Sequence, residues 1–190
     1  MTKPPTQLKK IITIVGFLVQ ISAGFGQGTL IFANLASGVN APVTFLIGGA
    51  RVTNTNFLAD LYFSTNTNAP TNSLQAASFN VAFSTTTAGG GGGYFLGGSR
   101  TVIGAIDFIE AQVRVWDSRF GATYSAANAA GGCVGQSAPV IITLALVPSF
   151  PPPLVGLQAF TVCLPEPATL SLAGLGFLAL LVRARARYHG

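Results

Sequence analysis

Glu110-Ala111-Gln112-Val113-Arg114-Val115-Trp116-Asp117 is the stretch from which the fold is read. Ala111, Val113 and Val115 fall on one side of an extended chain, with Gln112, Arg114 and Trp116 on the other. That two-residue period is the mark of a strand with one apolar face. Valine and tryptophan also suit a pleated surface better than a helix. Phe79, Val81 and Phe83 alternate with Asn80, Ala82 and Ser84 in the same way. Outward from these two runs, short stretches rich in Val, Ile, Phe, Tyr and Thr recur between Gly, Asn, Ser and Pro. The strands expected are Thr29–Asn34, Pro42–Ile47, Leu58–Ser64, Ser78–Thr85, Tyr94–Leu96, Val102–Ile103, Glu110–Asp117, Val140–Leu146 and Gln158–Cys163. Gly48-Gly49, Asn66–Asn72 and Gly97-Gly98 read as turns. One helix is expected at Thr123–Ala130, with small helix formers inside it and a glycine stop at Gly131-Gly132. The fold class is therefore mainly β, an antiparallel sandwich or jelly-roll-like domain with one short helix.

Charge separates this middle from the ends. Only 8% of the residues are charged, against about a quarter in an ordinary domain. The net charge is +5. Lys3, Lys9, Lys10, Arg183, Arg185 and Arg187, offset by Glu166, account for all of it. Between them, Arg51, Arg100, Arg114 and Arg119 balance Asp60, Asp107, Glu110 and Asp117. A neutral middle gives no footprint for nucleic acid. The basic pI reports on the two ends alone.

The N-terminal end reads as a secretory signal peptide over residues 1–26. Three lysines precede the apolar run Ile11–Ile21, and small residues Ser22, Ala23, Gly24 and Gly26 follow. Cleavage after Gly26 leaves Gln27 as the mature start, and cleavage after Gly24 is the alternative. At the other end, Pro165-Glu166-Pro167 precedes the uncharged run 168–182, and the basic tail 183–190 follows. As a helix, that run of about 15 residues would be about 22 Å long, short of a hydrocarbon core of about 30 Å. It could still span by thinning the bilayer, with Arg183, Arg185 and Arg187 snorkelling to cytoplasmic headgroups. The division expected is 1–26 leader, 27–147 β-domain, 148–164 Pro-rich connector with a last strand, and 165–190 tail.

This tail resembles the PEP-CTERM sorting signal of Gram-negative bacteria. Pro165, Glu166 and Pro167 match its motif, Gly174 and Gly176 lie in its glycine-bearing helix, and Arg183, Arg185 and Arg187 form its basic stop. The two prolines keep the motif extended and accessible, and Glu166 offers a single charged handle. The resemblance implies an inner-membrane intermediate, cutting by an exosortase-like enzyme, and delivery to the cell surface or extracellular matrix. Signal peptidase is the other processing partner. A structural or adhesive role linked to exopolysaccharide is likewise what the resemblance implies. Gln112–Asp117 with Phe120-Gly121-Ala122-Thr123-Tyr124 and Ala130-Gly131-Gly132 resembles a core that recurs among such passengers, as do Gly28–Asn34 and Asn40-Ala41-Pro42-Val43. That second likeness brings no activity with it.

Within the β-domain the residues for catalysis are few. His189, the only histidine, lies in the basic tail, so no Ser–His or Cys–His pair can form in the middle. Asp107 and Glu110 are the candidates for carboxylate chemistry, but three residues apart on a strand they take opposite faces. No Asp-x-Asp spacing supports a cation, and no cofactor or metal is expected. The expected reading is not an enzyme. Trp116 and Tyr124 are candidates for stacking on a glycan, Trp116 because it shares a face with Gln112 and Arg114, although core burial would explain it equally. Cys133 and Cys163 are the only pair available for a disulfide, which an oxidising compartment permits and which would contribute about 3–4 kcal/mol. The run of five glycines at 89–93 is expected as a flexible loop or strand interrupter, since no Lys-Ser/Thr follows to make a phosphate cradle. Four prolines within Pro148–Pro153 are expected as an extended connector.

Overall fold

The computed structural model describes residues 27–46, 49–85 and 91–162. The elements are β1 Gly28–Ala33, β2 Leu35–Ala36, β3 Val39–Asn40, β4 Val43–Phe45, β5 Phe57–Ser64, β6 Gln75–Ala76, β7 Val81–Ala82, β8 Leu96–Val102, β9 Phe108–Asp117, helix α1 Tyr124–Ala129, β10 Val134–Gln136, β11 Val140–Thr143 and β12 Phe160–Val162. The fold is mainly β with one short helix, as the alternation implies. The main sheet runs β4-β12-β10-β9-β5-β6, with β11 also on β9 and β7 also on β5. Strand β1 pairs β8, and β2 pairs β3.

One pairing corrects the all-antiparallel expectation. Strand β12 lies parallel to β4, Phe160 opposite Val43 and Val162 opposite Phe45. Most of the chain separates the two strands, so no tight turn forces them to run in opposite directions. The main sheet is mixed.

The decisive stretch is the centre of that sheet. Strand β5 pairs β9 from Phe57↔Asp117 to Ser64↔Glu110. Ala59 and Leu61 on β5 join Ile109, Ala111, Val113 and Val115 on β9 in one buried apolar cluster, which Leu30, Phe32, Phe95 and Val102 enter from the β1–β8 side. The opposite face of β9, polar in sequence, is buried as well: Glu110, Gln112, Arg114 and Trp116 are each 9% exposed or less. Helix α1 and the loops between β5 and β7 supply much of this second cover.

Two other expectations change. Gly97-Gly98 does not end a strand; it lies inside β8. A Cβ at Gly97 would meet the Phe32 carbonyl oxygen at 2.8 Å, and the β1–β8 register shifts between Ile31 and Ala33, so the glycines accommodate a bulge. The strand expected over Ser78–Thr85 shrinks to β7, because Ser78 (φ 62°) and Asn80 (φ 48°) leave the extended region. Of the glycine run, Gly89 and Gly90 lie outside the described residues, and Gly93 is fixed at its end: its N–H donates to Val52 O, and its carbonyl accepts from Val43 N–H. The helix forms where composition places it, capped by Thr123 Oγ1 accepting from Ala126 N–H at 3.2 Å.

The two ends of the domain lie at opposite ends of β9. Gly28 N–H donates to Ala105 O and Leu144 N–H to Asp107 O, which puts the start of β1 at the Phe108 end. Val162 pairs Gly135, and Gly135 pairs Val115, which puts the end of β12 near the other. At about 3.3 Å per residue, the run from 107 to 115 separates these points by about 26 Å. The expected leader, with Gly26 at its cut, and the expected tail helix and arginines lie outside the described residues. Among the described residues no helix is long and apolar enough to cross a membrane.

Candidate functional site

The outer face of β5 and β9 holds a polar constellation built around Arg114. Arg114 projects from β9 between two rings, with its guanidinium carbon 4.1 Å from the Tyr62 centroid and 5.2 Å from that of Tyr124. Its Nε donates to Gln112 Oε1 at 2.8 Å, and its Nη2 donates to Thr71 O. Gln112 Nε2 donates in turn to Ser137 O at 2.9 Å, and Ser137 Oγ accepts from Val113 N–H at 3.0 Å. Rings and amides around a buried guanidinium stabilise it without an acid partner. The pieces joined are the sheet, helix α1, the turn at Thr71–Ser73 and the segment after β10. Burial, followed by the nearby Asp60 charge, pushes the Tyr62 phenol up from its usual range.

Carboxylates on this face are committed to the backbone. Asp60 Oδ1 accepts from Leu61 N–H at 2.8 Å and Phe79 N–H at 2.7 Å, and Oδ2 accepts from Ser78 N–H at 3.1 Å. Burial raises the Asp60 pKa, and these amide hydrogen bonds pull against it. Glu110 Oε2 accepts from Ala69 N–H at 2.9 Å. Asp117 is buried and paired with the exposed Arg119 at 2.5 Å, and this hydrogen bond holds its carboxyl below the usual range. Asp107 alone stands exposed, in the loop before β9. Among the described residues no three His, Cys, Asp or Glu side chains gather to hold a metal.

Of the two glycan-stacking candidates, Trp116 is corrected. Trp116 is 1% exposed and its Nε1 donates to Gly121 O at 3.1 Å, in the turn that leads into α1, so its ring is core. Tyr124 is half-buried, edge-on to Tyr62, and spends one face on Arg114. Both faces of β9 are covered, which the alternation within one strand does not reveal. Gln27 is exposed at the head of β1. Cys133 is buried beside β10, while Cys163 lies outside the described residues, as do Pro165, Glu166, Pro167, Arg183, Arg185 and Arg187.

Sequence reasoning missed Asn34, the buried hub of the β1 end. It is fully buried; its Nδ2 donates to Ala41 O and Gly93 O at 2.8 Å each, and its Oδ1 accepts from Phe95 N–H at 2.8 Å. An asparagine before a short turn looks like ordinary turn chemistry, and nothing in its neighbours marks it otherwise.

The chain leaves the sheet through a fixed exit. Strand β12 is held between β10 and β4, and Val162 O accepts from Leu46 N–H at 2.8 Å. A Cβ at Gly135 would sit 2.4 Å from Thr161 O, so only glycine lets the strands close. Two residues beyond Val162 begins a match to the PEP-CTERM protein-sorting motif, over residues 164–186. The chain carries a PEP-CTERM sorting signal. That motif marks an exported protein, sorted at the membrane by an exosortase-type enzyme. No curated protein and no solved structure matches the chain. The PEP-CTERM signal thus follows directly on a strand built into the main sheet, with no separate stalk domain between them.

Proposed function

We propose that this protein is a structural, non-catalytic component of the cell surface or extracellular matrix of a Gram-negative-type bacterium. It is associated with exopolysaccharide and is delivered there as an exosortase passenger. The observation that carries the reading is the PEP-CTERM match at residues 164–186, starting two residues after the last strand. In this reading the leader is cut after Gly26, and the segment 168–182 holds the chain briefly in the inner membrane. Arg183, Arg185 and Arg187 stay cytoplasmic, and cutting near Pro165-Glu166-Pro167 releases the β-domain. The carboxylates support a non-enzymatic role. Asp60 and Glu110 are spent on backbone amides and Asp117 on Arg119, which leaves Asp107 without a second acid to share catalysis.

The test replaces Pro165, Glu166 and Pro167 with alanine in the native host and follows the protein by fractionation. The expected result is full-length, leader-cleaved protein accumulating in the inner membrane. Processing and release at the wild-type rate would refute the reading.

A further inference from the structure

Two open cavities, of about 180 and 320 Å³, meet at the Phe108 end of β9. Thr65 and Gly104 line both, so together they make one groove between the loop after β5 and the loop joining β8 to β9. Its size is that of a ligand cleft, about 300–1,000 Å³. Ser64, Thr65 and Thr67 supply hydroxyls along it, Gln75 an amide, Asp107 a carboxylate, and Phe108 a ring that is 49% exposed.

This lining selects by exclusion. Asp107 is its single ionisable group, so a phosphate, sulfate or uronate would meet a negative charge and no cation. A wholly apolar ligand would strip water from the hydroxyls, amide and carboxylate without replacing their hydrogen bonds. A neutral sugar meets both demands. Its hydroxyls can pair with the serine, threonine, glutamine and aspartate side chains, while the C–H face of its ring lies on Phe108. We propose that this groove binds a neutral oligosaccharide of two or three units. The proposal deepens the surface reading above and rests on it for where such a glycan is met.

The test uses the full chain purified in detergent, so that it does not depend on sorting. Cellotriose, mannotriose and a glucuronate-bearing trisaccharide are titrated calorimetrically, with backbone amide shifts followed by NMR. At least one neutral trisaccharide should bind in the millimolar range or tighter and shift the amides of 64–67 and 103–108. Asp107→Ala and Phe108→Ala should weaken it about tenfold or more. Phe150→Ala, at a ring 96% exposed on the Pro-rich connector, should change nothing. Should Phe108→Ala fail to fold, Gln75→Ala replaces it. Absence of binding by both neutral probes, tighter binding of the charged one, or loss on Phe150→Ala alone would overturn the proposal. A protein that binds the sugar but is never cut at its tail would sink the sorting reading and leave the groove standing.

Discussion

Replacing Asn34 with alanine should cost this domain a large part of its stability. The side chain is fully buried and makes three hydrogen bonds, to Ala41 O, Gly93 O and Phe95 N–H. Alanine leaves Ala41 O and the Phe95 N–H without their side-chain partner in the interior, while Gly93 O loses one of two donors and keeps Val43 N–H. Each of these two groups costs about 1–3 kcal/mol, so after partial relaxation the loss should be about 2–5 kcal/mol. Set against about 5–15 kcal/mol for a whole domain, that is enough to leave the variant marginal. Asn34→Asp is the sharper probe, because it keeps the shape and presents an acceptor where Ala41 O and Gly93 O need a donor. It should be at least as damaging as alanine, since two lone pairs then face two carbonyls without a proton between them. The assay is urea unfolding of the protein starting at Gln27, read by the fluorescence of Trp116, the only tryptophan and a buried one. A loss below about 1 kcal/mol for alanine, or an aspartate variant as stable as the wild type, would refute the idea that this residue ties the glycine segment to β1.

Two further outcomes are expected. Asp117 has its folded-state pKa lowered, so the stability it contributes is present above the ordinary carboxylate value of about 3.9 and is lost as pH falls through the folded value. Asp60 has its pKa raised, so its contribution runs the other way, present at low pH and lost as pH rises through its folded value. Asp117→Asn should therefore flatten the acid-side fall in urea midpoint and Asp60→Asn should steepen it; equal slopes in all three proteins would contradict the assignment. For the cysteines, Cys133 is buried next to β10, whose Gly135 pairs the residue before Cys163. Non-reducing peptide mapping of the exported protein should return the two cysteine peptides joined, and recovery of both as separate thiol peptides would exclude the bridge.

How far the sequence could be read depended on whether a property was local. The alternation in Glu110–Asp117 located the central strand because a two-residue period is written into neighbouring side chains. The helix at Tyr124–Ala129 was legible for a similar reason: Thr123 caps it and Gly131, with φ 70°, stops it, all within one short segment. What covers a strand's second face is not local. Trp116 therefore reads from its strand as either an exposed ring or a core one, and the structure buries it, with its Nε1 on Gly121 O in the turn before α1. Gly97 and Gly98 show the same limit, since a glycine pair looks like a turn unless the partner carbonyl of Phe32 is in view. The parallel pairing of β4 with β12 joins distant segments and leaves no trace in either. The groove, too, is assembled from two loops that are far apart in the chain. Only the sorting signal, a contiguous motif, could be recognised whole.

The placement of the domain's two ends has a practical consequence for following the protein in cells. Gln27 emerges about 26 Å along the strand axis from the point where Val162 hands the chain to its sorting signal. A fluorescent or epitope tag fused between Gly26 and Gln27 would hang from the pole opposite the one where Val162 leaves the sheet. The same tag placed after Val162 would sit in the enzyme's way, so reporters of trafficking belong on the front of this cargo.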